Sequence, residues 1–177
     1  MKIFKENQRF NQWWLVAMIV FVFLKIGYDI LIVYREEPKF NTDASISLII
    51  SSIILTLVTI LIFSLKLTTR IDENGIAYQF SPFHVKAKNV PWESLKTCVV
   101  RKYSPILEYG GWGFRGIIRL KMFGIGENGI AYNIKGDIGI QMELKDGGKI
   151  LIGTQKTEQA KEVIKNYSYK LTNNKII

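Results

Sequence analysis

One histidine, His84, and one cysteine, Cys98, are all that this 177-residue chain offers to imidazole and thiol chemistry. A zinc site of the His/Cys type needs several such ligands and is excluded, and a Ser-His-Asp triad would rest on His84 as its base. His84 lies in HVKAKNV, where Val85 and Ala87 alternate with His84, Lys86 and Lys88 at the period of a half-buried strand. That reading puts Val85 and Ala87 in the core and His84 on a solvated face among lysines. Carboxylates for acid-base work exist at Glu93, Glu108 and Asp137, but no spacing draws them together. The run from Gly124 to Gly129 satisfies G-x-G-x-x-G, yet a dinucleotide loop needs a following helix N-terminus, and the next residues, IAYNI, read as a strand. No catalytic residue, cofactor or metal is assigned, and a non-enzymatic protein is expected.

Three further groups could bind rather than react. In EYGGWGFRG, Glu108 to Gly116, the glycines permit positive φ or close backbone approach around Trp112, Phe114 and Arg115. Either Trp112 folds back over the end of the β domain, or Trp112 and Arg115 form a contact surface for lipid headgroups or a neighbouring protein, since aromatics suit a membrane interface and Arg suits phosphate. Arg70, Lys86 and Lys88 form a second candidate surface, for generic anionic lipid. Lys25 and Asp29 lie four residues apart inside an apolar run, where ionisable groups are costly and where that spacing lets one neutralise the other. They are read either as a polar contact between helices or subunits, or as a pair near the membrane interface.

These residues must be positioned by two kinds of element. Residues 13–34 and 46–65 are apolar runs, the second without a charge, and 20 residues at about 1.5 Å each span about 30 Å, the hydrocarbon core of a bilayer. The expected organisation is an N-terminal flank at 1–12, two transmembrane helices, a short external loop at 35–45, and a cytoplasmic domain at 66–177. A cleaved signal peptide is discarded, because the first run is too long and no small-residue cleavage site follows it. Lys2, Lys5 and Arg9 precede the first helix, and Lys66 and Arg70 follow the second, whereas Arg35 and Lys39 in the loop sit beside acidic residues; both termini are therefore expected on the cytoplasmic side of the plasma membrane.

Beyond residue 65 the pattern turns to period two. Ile118, Leu120 and Met122 alternate with Arg119 and Lys121, and Ile138, Ile140, Met142 and Leu144 with Gln141, Glu143 and Lys145. Turn signals at Glu73-Asn74-Gly75, Ser81-Pro82, Asn128-Gly129 and Asp146-Gly147-Gly148 suggest an antiparallel meander of about seven strands. The hexapeptide ENGIAY occurs at 73–78 and again at 127–132, and convergence on a favoured turn is preferred to duplication. From Thr157, a plausible N-cap, to about Leu171, Ala160, Val163, Ile164 and Tyr167 share one helical face.

The order of two membrane helices, PWE at 91–93, GGWG at 110–113, LIGT at 151–154 and a last helix resembles small bacterial membrane proteins with a cytoplasmic pleckstrin-homology-like domain. The resemblance covers nearly the whole chain and implies a helical hairpin followed by a mainly β barrel closed by a helix. It carries no catalytic or ligand residues with it. The formal charge is +9, and residues 66–177 hold 18 Lys and Arg against 10 Asp and Glu. Without a nucleic-acid-binding motif, that excess points to an anionic membrane surface. The expected role is a membrane-anchored binding or assembly module whose partner is anionic lipid, a second copy or another membrane protein. The alternative is an enzyme or accessory factor acting on membrane lipids.

Overall fold

The computed structural model describes residues 2–36, 42–115 and 129–172. It divides into a helical unit, residues 10–65, and a sheet unit built from residues 1–9 together with 66–177.

In the helical unit, α1 (Trp13–Glu36) and α2 (Thr42–Ser64) pack against each other. Within them, Trp13–Ile32 and Ile46–Ser64 are long and apolar enough to cross a membrane. Leu15 and Ile19 are buried, but most of the apolar side chains are exposed, Phe21 at 71% and Ile60 at 61%, which suits a lipid solvent rather than a protein core. Several hydroxyls of α2 are satisfied within the helix: Ser51 donates to Ser47 O at 2.7 Å, Ser52 to Leu48 O at 2.8 Å and Thr59 to Leu55 O at 2.8 Å. This back-bonding makes Ser and Thr tolerable in an apolar span. Both helices run beyond the expected spans, taking in residues 35, 36 and 42–45 of the expected loop; the strongest breaker there, Pro38, falls within 37–41, outside the described residues.

The sheet unit begins before α1. The expected flank contains β1 (Phe4–Arg9), which pairs antiparallel with β2 (Lys66–Asp72), Phe4 opposite Ile71 and Arg9 opposite Lys66. β3 (Gly75–Ser81) and β4 (Lys88–Val90) complete a four-stranded antiparallel sheet. The inward side chains of β1 are Phe4, Glu6 and Gln8. Glu6 accepts from Thr154 Oγ1 at 2.6 Å and from Gln155 N–H at 2.8 Å, and Gln8 Nε2 donates to Gly153 O at 2.7 Å. These bonds hold the N-terminal strand to the far end of the sequence.

The second sheet contains β5 (Leu95–Lys102), β6 (Gly113–Arg115), β7 (Ile130–Asn133), β8 (Ile138–Leu144) and β9 (Lys149–Gly153), in spatial order β5-β8-β9-β7-β6. The expected meander is corrected here. Among the described residues there are nine strands in two sheets and no closed barrel, and β7 pairs parallel with β9, Ile130 opposite Ile150. Turn chemistry specifies a local hairpin, such as β8–β9 through Asp146-Gly147-Gly148, but not which edge a returning strand occupies. The alternation of β8 is as expected, with Ile140 and Met142 fully buried. The expected strand around Ile118, Leu120 and Met122 lies outside the described residues.

After the sheets come α4 (Thr157–Tyr167) and a short α5 (Tyr169–Thr172). Ala160, Val163, Ile164 and Tyr167 are buried, as their spacing requires. The cap is Lys156 rather than Thr157, because the preceding turn is held by Thr154 Oγ1, which accepts from Lys156 N–H at 3.1 Å. Tyr167 OH donates to Lys2 O at 3.0 Å, and Lys2 pairs with Glu162, so α4 also fixes the start of β1. Trp92, in a 3-10 turn, packs on Tyr167 at 5.6 Å between ring centroids and donates its indole N–H to Asp72 O at 2.8 Å.

Candidate functional site

The segment after β3 is not the strand its alternation suggested. Residues 82–87 form a turn and bend, and the inside-outside pattern is inverted: His84 is buried, while Val85 is 89% exposed and Ala87 is also exposed. The reason is local. Backbone bonding turns the chain back, with His84 N–H donating to Phe80 O at 2.9 Å and Phe80 N–H donating to His84 Nδ1 at 3.2 Å. Gln79 Nε2 holds the carbonyls of His84 and Val85 at 3.0 and 3.1 Å. Ser81-Pro82 is a turn signal as read from the sequence, but the two apolar residues that follow it, Val85 and Ala87, are too short a run to specify a strand.

His84 therefore sits in an aromatic cluster that joins the two sheets. Its ring lies 5.1 Å from Tyr132 and 5.9 Å from Phe114, and Phe83 lies 6.0 Å from both Phe80 and Phe114. Phe114 stacks on Tyr132 at 4.8 Å. Phe114 belongs to the glycine corner noted in the sequence, whereas no spacing set Phe83 and Tyr132 apart from ordinary core aromatics.

Phe114 brings the glycine corner beside this cluster. A helical turn, α3 (Pro105–Tyr109), is capped by Ser104 and ends at Gly110, whose left-handed conformation (φ 73°) lets its N–H reach Ile106 O at 2.8 Å. Trp112 is 38% exposed, and its indole N–H donates to Gly136 O at 3.0 Å, so one edge is pinned to the domain while the rest faces solvent. Arg115 Nε donates to Trp112 O at 2.9 Å. Trp112 and Arg115 lie together, and Phe114 links them to the segment bearing Lys86 and Lys88 through its ring contacts with Phe83 and His84.

Arg70 does not join them. On β2 it occupies an outward position and pairs with Asp72 at 2.7 Å, whereas the register puts Lys88 opposite Tyr78, on the inward-facing row at the sheet edge. Lys25 and Asp29 form an ion pair within α1, with one contact at 2.7 Å, so each has a partner without a second helix. The three carboxylates considered for chemistry do not converge: Glu108 pairs with Arg101 and Asp137 with Lys102, and Glu93 is exposed. Arg101, chiefly through its hydrogen bonds, holds the Glu108 carboxyl below the usual range. Arg101 also donates to Gln141 Oε1 at 3.0 Å, beside a 180 Å³ open depression lined by Thr97, Arg101, Gln141, Glu143 and Lys149. Among the described residues there is no group of three or more His, Cys, Asp and Glu placed to hold a metal. Cys98 is buried and its thiol is pushed up to about 12, so it is an inert core residue.

Burial of His84, reinforced by the charge of Lys88, lowers its pKa. Because the folded value is depressed, the stability contributed by the neutral ring is fully present above the unfolded value of about 6.5 and is lost as the pH falls from there toward the folded value. Protonation at Nδ1 would also remove the acceptor for Phe80 N–H. Proteolytic sensitivity of the 82–87 segment should rise as the pH is lowered below about 6.5. In His84→Asn, whose side-chain oxygen replaces that acceptor without titrating, the rise should be absent; an unchanged profile would assign it to another group.

No protein-family model, curated protein or solved structure matches this chain.

Proposed function

We propose that this chain is a small bacterial two-pass membrane protein of the plasma membrane, with both termini cytoplasmic. Its two-sheet unit is a pleckstrin-homology-like binding or assembly module working at the membrane surface, toward anionic lipid or a protein partner, itself or another. One observation carries this reading. The strand before the first apolar helix and the strand after the second are paired, with Arg9 opposite Lys66, and only residues 10–12 and Leu65 separate them from the helices. A module joined to two spans by such short connections cannot leave the membrane surface. A cleaved signal sequence at α1 would also remove β1 and its buried bonds. The excess of Lys and Arg in residues 66–177 suits an anionic leaflet. The lipid-modifying enzyme reading has no comparable observation in its favour.

The test uses single cysteines at Thr42 and Asn74 in a Cys98→Ser background, with a membrane-impermeant thiol reagent on intact cells. Position 42 should label, and position 74, in the exposed β2–β3 turn, only after permeabilisation. The reverse pattern overturns the orientation. Native mass spectrometry of the same full-length protein should then find retained anionic lipid, a defined oligomer or a bound protein; a bare monomer overturns the binding role.

A further inference from the structure

The 82–87 segment has a second property, set by where it leaves the sheet. In the β2–β3 register Lys66 is opposite Ser81, and in the β1–β2 register Lys66 is opposite Arg9. Three strand ends therefore lie side by side, each about 5 Å from the next across the sheet. Two of them, Arg9 and Lys66, are the points where the chain departs for α1 and arrives from α2. The third, Ser81, opens directly into Pro82, Phe83, His84, Val85, Lys86 and Ala87. The opposite end of the same hairpin, the turn at Asn74, is six residues further along, or about 20 Å.

At this end, Val85 is 89% exposed, and Phe83, which packs one side on Phe80 and Phe114, still leaves 55% of its surface to solvent, although the segment is firmly held by Gln79 and His84. From Ser81 to Val90 the chain has Lys86 and Lys88 and no acidic residue, and Arg9 and Lys66 add two more cations at the strand ends. Apolar tips flanked by cations match the interface of an anionic bilayer, which accepts apolar side chains below its headgroups and attracts Lys and Arg at them.

We infer that the Phe83–Lys86 segment is a third membrane contact: Phe83 and Val85 enter the headgroup region of an anionic phospholipid bilayer, and Lys86, Lys66 and Arg9 meet its phosphates. This rests on the membrane-anchored reading above and names the surface and lipid class through which the module works. The contact fixes the sheet unit against the bilayer at a point the two helices do not supply. The buried His84 anchors the segment, leaving Val85 and the outer side of Phe83 uncovered.

The test uses full-length protein in a Cys98→Ser background, with an environment-sensitive fluorophore on a single cysteine at Val85, Asn74 or Val58. Each is reconstituted into phosphatidylcholine vesicles with or without phosphatidylglycerol, and a lipid-borne spin label supplies quenching. Quenching is expected at 58 in both bilayers, at 85 in the anionic bilayer, and not at 74. Lys86→Glu should lower the bound-to-free ratio of the segment at position 85 by roughly fivefold or more. Quenching at 58 but not at 85 overturns the inference and leaves the membrane anchor standing; formation of a disulfide-linked dimer through position 85 under oxidation, with quenching absent, would reassign the segment to a contact between copies. Equal quenching at 85 in both bilayers overturns the requirement for anionic lipid. Absence of quenching at 58 overturns the anchored reading itself, and this inference with it.

Discussion

Replacing Glu6 by alanine should destabilise the sheet unit by about 2 to 4 kcal/mol, a large loss for a single residue in a strand that precedes the first apolar helix. Glu6 is 5% exposed, and its two carboxylate oxygens take the Thr154 hydroxyl and the Gln155 N–H. Hydrogen bonds to charged groups are each worth about 1.5 to 3 kcal/mol, and truncation leaves a buried donor without its acceptor. The effect should spread beyond β1, because Thr154 also accepts from Lys156 N–H in the turn that starts α4. Glu6→Gln keeps the size and one good acceptor and should cost about 1 kcal/mol. Lys5→Ala, on the exposed face of the same strand, should change stability by less than about 0.5 kcal/mol. Urea unfolding of the full-length protein in detergent, followed by near-ultraviolet circular dichroism, orders the three variants. An unchanged midpoint for Glu6→Ala would mean that β1 is not part of the folded unit in solution.

The second large effect is expected at Gly129, which leads into β7. A β-carbon there would lie 2.1 Å from Lys149 O and 2.6 Å from Lys149 Cβ, at φ 85°. The carbonyl belongs to β9, which pairs in parallel with β7, so neither atom can yield without opening that pairing. Gly129→Ala should cost about 3 kcal/mol or more, combining left-handed strain of about 1 to 2 kcal/mol with the clash. Gly147→Ala is the control: its φ of 87° is nearly the same, but nothing lies within 4 Å of its β-carbon, so only the conformational part remains. The difference between their thermal midpoints isolates the steric part, and equal losses would refute it. Gly75 is constrained in the same way: a β-carbon there would lie 2.2 Å from Val90 O, at φ 139°. The glycines of the two ENGIAY copies therefore share one physical requirement, a close approach to a neighbouring carbonyl at positive φ.

Some of the candidate surface was legible in the sequence and some was not. Trp112 and Arg115 stand three residues apart in a glycine-rich corner, and the structure joins them by a bond spanning three residues. Local spacing was sufficient there. Arg70 and Lys88 looked equivalent in sequence, but strand parity assigns them to opposite rows of the sheet, and parity is known only once the register is known. His84 was placed outside because Val85 and Ala87 alternate with it and with the lysines, whereas the backbone at His84 turns back on Phe80 and forms no strand there.

What the sequence by itself determined is whatever depends on neighbours within one or two turns of chain. The two apolar helices, the buried face of α4, the alternation of β8 and the hairpin turns at Asn74-Gly75 and Gly147-Gly148 all follow from periodicity and from residues that fix φ. Tertiary structure decided the rest. β1 has Glu6 and Gln8 at its inward positions, so no hydrophobic alternation announces a strand; its burial depends on acceptors and donors at Gly153, Thr154 and Gln155, about 150 residues away. The parallel pairing of β7 with β9, the inward turn of His84 and the gathering of Phe83, Val85, Arg9 and Lys66 at one sheet end are likewise long-range. Period and propensity are local quantities, whereas register and the satisfaction of buried polar groups are properties of segments that meet only when the chain has folded.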